Sequence, residues 1–184
     1  MKKVAKNCII AATQKCAVEL GLTKSSNTSW RKIMPGGIRC IFLDRSSWHD
    51  AAYYYPTLAF YPIECLQVEK LPRKRPLPHD YPVQFRFDEA CGWNKYREDY
   101  ECLFDMSTGL GFEERYAGIR ELITTCVWPI LEEMASLDDV IRMEKAGKLP
   151  PGAVRMPVLA KIDPEMRKRL VDYRFINGEF RLDE

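Results

Sequence analysis

Histidine is the side chain best suited to moving protons near neutral pH, and this sequence has two, His49 and His79. His49 follows Trp48 in a stretch that reads as loop and His79 lies in a proline-rich connection, so both are expected at the surface, not as a catalytic pair. Thiol chemistry has cysteines at 8, 16, 40, 65, 91, 102 and 126 to draw on. Cys40, Cys65 and Cys126 sit in apolar runs, where burial raises a thiol pKa and leaves it inert. Cys91 and Cys102 flank an acidic stretch whose carboxylates disfavour a thiolate. Zinc ligation by Cys91, Cys102 and a histidine matches no recognised ligand spacing, so no metal and no cofactor are expected. Ser107-Thr108-Gly109-Leu110-Gly111 resembles a phosphate loop without its lysine, and reads better as the leader of a helix beginning at Phe112. The adjacent acids Glu98 and Asp99, or Asp138 and Asp139, cannot flank a scissile bond by themselves and fit solvated or helix-start charges.

What remains points to binding. Tryptophan and tyrosine dominate interface hot spots and cost little entropy to order, which singles out Trp48, Trp93 and the run Tyr53-Tyr54-Tyr55. Between residues 88 and 105, six acids (Asp88, Glu89, Glu98, Asp99, Glu101, Asp105) face only Lys95 and Arg97, with Trp93, Tyr96, Tyr100 and Phe104 interleaved. The expected partner-binding residues are Trp48, Tyr54, Trp93, Tyr96, Glu98, Asp99, Glu101 and Asp105. A partner drawn to them would carry a basic surface. The run Arg73-Lys74-Arg75, with Lys70 upstream, could hold phosphate but fits a solvated loop better, so nucleic acid is disfavoured.

Composition agrees with this. Of 184 residues 46% are hydrophobic and 29% charged, enough for one globular domain and too much for global disorder. Twenty-eight basic against 26 acidic side chains leave a formal net charge of +2, too balanced for a dedicated nucleic-acid or membrane coat. The odd cysteine total, with no pair at two-residue spacing, predicts reduced thiols and a cytoplasmic location. The apolar stretch 8–12 is too short for a signal peptide, and no run approaches the roughly 18 apolar residues of a membrane span.

The elements that must position these residues follow from periodicity. Ala5, Ile9, Ala12, Cys16 and Leu20 mark one stripe of a helix over 2–20, closed by Gly21. Pro35-Gly36-Gly37 turns a hairpin whose second arm is Ile38 to Leu43. Ala51 to Ile63 is aromatic-rich, but Pro56 and Pro62 predict an edge strand or two short pieces. Residues 66–81 read as an exposed connection to a half-buried strand over 82–87. Phe112, Tyr116, Ile119, Ile123, Cys126 and Ile130 define a second long helix, kinked or restarted at Pro129. Ser136 caps a short third helix ending near Gly147. A helix starting at Asp163 and a hairpin turned by Asn177-Gly178 complete the tail. The fold expected is α+β: an antiparallel sheet of about four to six strands with helices on one face and the other at least partly wet. Residues 1–150 form that domain, and 151–184 a helix–hairpin appendage packing on it or on a neighbour.

An N-terminal helix ending in Leu20-Gly21-Leu22, Trp30-Arg31 in a strand, Leu43-Asp44-Arg45-Ser46-Ser47-Trp48, the Tyr-rich strand and Val127-Trp128-Pro129-Ile130-Leu131 before Ser136-Leu137-Asp138 occur in this order. In that succession, over roughly residues 5 to 148, the chain resembles a bacterial family of small cytoplasmic α+β proteins of unassigned function, similar to the immunity proteins found beside polymorphic toxins. The resemblance implies a non-enzymatic binding module that occludes a cognate toxin or other protein. Two alternatives stand beside it: a small hydrolase-type enzyme built on Cys91, Cys102 and His49 or on an acidic cleft, and a weak nucleic-acid binder using residues 70–75.

Overall fold

The structure is a computed structural model and describes residues 2–45, 53–65, 81–154, 173–176 and 179–182. The chain runs α1 (Lys2–Glu19), β1 (Thr23–Ser26), β2 (Ser29–Met34), β3 (Gly37–Arg45), β4 (Tyr54–Pro62) and β5 (Val83–Arg86). Then come α2 (Phe87–Cys91), α3 (Trp93–Asp99), α4 (Glu101–Phe104), α5 (Phe112–Leu122), a π-helical turn (Ile123–Val127), α6 (Trp128–Glu133) and α7 (Leu137–Lys145). Strands β6 (Tyr173–Ile176) and β7 (Glu179–Leu182) pair separately, Tyr173 with Leu182 through Ile176 with Glu179. Asn177 and Gly178, expected to turn them, lie outside the described residues, as do Trp48, His49, the 66–80 connection with His79 and the helix expected from Asp163. No described helix is long and apolar enough to cross a membrane.

Strands β1 to β5 form one antiparallel meander in chain order, and the helices pack against it, so the fold is α+β. On the helix side Trp30, Ile41, Leu43, Leu58, Phe60, Val83 and Phe85 meet Ile9, Ala12 and Cys16 of α1 and Ile119 and Leu122 of α5 in the main core. Arg39 also faces this side and is nearly buried, its Nη2 donating to the carbonyls of Glu132 and Met134 where α6 ends, both at 3.1 Å.

β4 is a central strand, not the edge its prolines predict. Ile63 N–H bonds Gly36 C=O at 3.0 Å on the β3 side. By two-residue alternation, the even positions of β4, Pro56 and Pro62 included, therefore turn their nitrogens toward β5. β5 pairs only Thr57 to Phe60, so neither proline interrupts a ladder bond. The β5 edge is in turn sealed by a bridge from Val83 to Val154 and by Gln84 N–H bonding Ala153 C=O at 2.8 Å. Ala153 and Val154, just past residue 150, are buried against this edge. At the opposite edge β1 pairs with β2 through a register shift between Lys24 and Ser26.

The second sheet face is covered only in part, Ile33 on β2 staying 72% exposed. Ile38, Cys40, Phe42, Ala59 and Tyr81 form a smaller buried cluster there, with the Tyr81 ring edge-on to Phe42 at 5.4 Å. β3 reads as a near-continuous apolar run, not an alternating one, which is the pattern of a strand covered on both sides.

The long C-terminal helix restarts as its proline requires. In a regular helix the Pro129 ring would press on the Thr125 carbonyl. The chain instead widens into the π-turn, where Trp128 N–H reaches Ile123 C=O. That extra residue rotates the stripe by one position: Val127 and Leu131 are fully buried where Cys126 and Ile130 were expected. Ser136 caps α7 as expected, its Oγ accepting from Asp139 N–H at 3.2 Å.

The backbone after α6 presses on the β2–β3 turn, and a Cβ on Gly36 would stand 1.7 Å from Ala135 C=O. Gly36→Ala is expected to destabilise the fold by about 1–3 kcal/mol, since backbone must shift to admit the methyl group. Gly109→Ala, with nothing within 4 Å of the new carbon, serves as the near-neutral control. Urea denaturation of the two variants side by side checks this, and equal midpoints would refute it.

Candidate functional site

The open end of the second sheet face carries a cleft. Its rear wall is set by alternation in two strands. In β4, Tyr54 points into the core at 2% exposure while Tyr55 turns outward at 37%. In β5, Val83 and Phe85 are buried and Arg86 emerges beside Tyr55, its guanidinium 5.6 Å from the ring centroid. Arg86 also opens α2. Its N–H donates to Glu89 Oε2 at 2.6 Å, and its guanidinium grips Asp88 in a fork, Nε to Oδ1 at 3.0 Å and Nη2 to Oδ2 at 2.5 Å. Asp88 and Glu89 thus occupy the first turn of α2, where the helix dipole favours acids.

Gly92, at φ +87°, breaks the helix between α2 and α3 in a conformation other side chains avoid. The new direction throws Trp93 outward, 54% exposed, and turns Tyr96 inward. The Tyr96 ring stacks on Phe104, and its hydroxyl meets that of Tyr53 at 2.8 Å. Burial, first of all causes, pushes both phenols above their usual pKa, so the pair is a fixed neutral dipole at physiological pH.

Two hollows share Tyr55 and Arg86. The smaller, of about 90 Å³, lies among Tyr53, Tyr55, Asp88, Trp93, Tyr96 and Glu101. The wider groove, of about 600 Å³, runs over Asp44, Thr57, Gln84 and Glu89 to Gly152. Together they set four carboxylates, Asp44, Asp88, Glu89 and Glu101, around one guanidinium and two exposed aromatic rings. Such a surface can hold a protruding side chain between aromatic walls and favour cationic groups at its rim.

Of the expected binding residues, Trp93, Tyr96 and Glu101 come together here. Tyr54 does not: the strand alternation gives it to the core, and its neighbours Tyr53 and Tyr55 line the cleft instead. Glu98 and Asp99 are exposed on α3 but line neither hollow. Asp105 is structural. It bridges Tyr53 through the main chain, and its Oδ1 accepts from Ser107 N–H at 2.7 Å. Trp48 lies outside the described residues. Arg86 and Asp88 were not anticipated as a clasp, although the alternation of Val83 and Phe85 with Gln84 and Arg86 does mark the latter pair as facing away from the core.

Of the groups in the hydrolase alternative, His49 lies outside the described residues. Cys91 touches Cys126, while Cys102 is exposed on α4, its carbonyl accepting from Thr108 Oγ1 at 3.1 Å. Burial pushes the Cys40 thiol up to about 12, as its apolar surroundings predict, and Cys16 likewise. Among the described residues no group of three or more His, Cys, Asp or Glu is placed to hold a metal ion. The 107–111 run leads into α5, with Gly111 N–H donating to Glu114 Oε2 at 2.8 Å.

These features define a small α+β protein with an open aromatic and acidic cleft. Residues 13–133 match the family described as Domain of unknown function (DUF4304), and the chain belongs to that family. No curated protein and no solved structure matches the chain. The matched span contains every residue of the smaller hollow.

Proposed function

We propose that this chain is a cytoplasmic, non-catalytic protein-binding module of the immunity type, which neutralises a cognate bacterial toxin by covering its active surface. The observation that carries this reading is the exposed pair Trp93 and Tyr55 beside the cleft acids Glu89 and Glu101, Asp88 being held by Arg86. An aromatic anchor ringed by acids suits a basic partner, and toxins acting on anionic substrates present such surfaces. The exposed Glu98 and Asp99 add to the field that speeds encounter without entering the contact. The choice of a toxin rests on the chain's resemblance to immunity proteins.

Co-expression with the product of the adjacent gene tests the proposal. A complex that co-purifies at micromolar concentration, together with relief of growth arrest, is the expected result. Failure of both rejects it.

A further inference from the structure

Cys91 closes α2 and Cys126 lies within the π-turn, 35 residues further on, yet their sulfurs are 3.0 Å apart. Both are free thiols and both are half-buried, within reach of a small reagent. A disulfide needs sulfurs at about 2.05 Å, so closing the bond asks for a movement of about 1 Å. The π-turn creates this contact: with the extra residue the inward position passes to Val127, and Cys126 moves to the side facing α2. The Lys95 ammonium on α3 is electrostatically coupled to both sulfurs, while Asp99 on α3 and Tyr100 lie in the same neighbourhood. Burial first, then contact with Cys126, pushes the Cys91 thiol up to about 12, so Cys91 is protonated at neutral pH.

We propose that Cys91 and Cys126 are a modification site, forming a reversible intramolecular disulfide with a low-molecular-weight disulfide as oxidant. One protein thiolate attacks a sulfur of the reagent and expels half of it as a thiolate. The second protein thiol then displaces the other half from the mixed disulfide. The two protein sulfurs lose two electrons and two protons, and the reagent leaves as two thiols. The bond ties α2, and with it the start of the Trp93 helix, to the π-turn.

The test uses the full chain and oxidised glutathione, read by intact mass and peptide mapping. The expected product has lost two hydrogens, yields a cross-linked peptide joining 91 to 126, and reverts with dithiothreitol. Its thermal midpoint rises by about 5 °C or more, because the bond closes a long loop in the unfolded chain. Cys102→Ser forms the same product. Cys126→Ser retains a glutathione adduct and forms no cross-link. A wild-type chain that carries only separate glutathione adducts, or cross-links a different pair, overturns the proposal. Mapping the wild-type product decides the matter even if a variant does not fold.

Discussion

Arg115→Met lowers the stability of the folded chain by about 3–5 kcal/mol, the range for removing one partner from a buried charged network. Arg115 is fully buried near the start of α5, and its guanidinium is solvated by main chain. Nε donates to Leu110 C=O at 3.1 Å, Nη1 to the carbonyls of Cys102 and Leu103, and Nη2 to Asp105 C=O at 2.9 Å and Thr108 Oγ1 at 2.8 Å. No carboxylate is within ion-pair distance of it among the described residues, and burial lowers its pKa. The cation is kept charged because the carbonyls replace its water. Methionine fills much of the volume but leaves those carbonyls without donors in a dry site, a cost of about 1–3 kcal/mol for each one stranded. Urea denaturation measures the loss. A midpoint within experimental error of wild type would show that the 102–111 loop is held by packing alone. The variant also loosens the cleft, because Asp105 bridges Tyr53 and Phe104 supports Tyr96.

Trp93→Ala separates binding from folding. Its indole is 54% exposed and contributes little to the core, so the unfolding midpoint stays close to wild type. Loss of a central aromatic anchor costs about 2 kcal/mol or more in affinity, roughly thirtyfold in Kd. Titration calorimetry against the co-purifying toxin domain reads this directly. Undiminished affinity places the contact elsewhere on the surface and removes the cleft from the proposed function. Tyr54→Ala gives the opposite pattern, since that ring is buried and its removal reaches the partner only through the fold.

The strongly periodic elements were legible before the structure: α1 spans Lys2–Glu19 against an expected 2–20, and the hairpin turns at Pro35-Gly36, inside the expected Pro35-Gly36-Gly37. Ser136 caps the helix it was expected to cap. Position within the sheet was not legible, because a proline forbids only one of the two hydrogen-bonding directions and periodicity cannot say which neighbour lies there. The same limit explains Tyr54. Three consecutive tyrosines have two possible phases, and choosing between them needs the register with Leu43 and Asp44 that only pairing supplies. The π-turn shows a different limit. A 3.6-residue period extrapolated through residues 123–127 is off by one from Cys126 onward, which moved the buried positions and brought Cys126 against Cys91. Trp93, Tyr96 and Glu101 were identifiable as aromatics and acids clustered in sequence. The clasp of Arg86 on Asp88 was not, since it depends on a strand passing directly into a helix.

The way the sheet finishes on its β1 side bears on how copies of this chain treat one another. A bare strand margin is a template for polymerisation, the first step toward fibrils. Here the last strand has four residues, Thr23-Lys24-Ser25-Ser26, with a solvent-facing lysine, a bulge and two serine hydroxyls that both bond Ser29. An incoming chain would find no long apolar ledge to zip onto, so crowding in a cell should not drive these molecules into β-stacked aggregates through that margin.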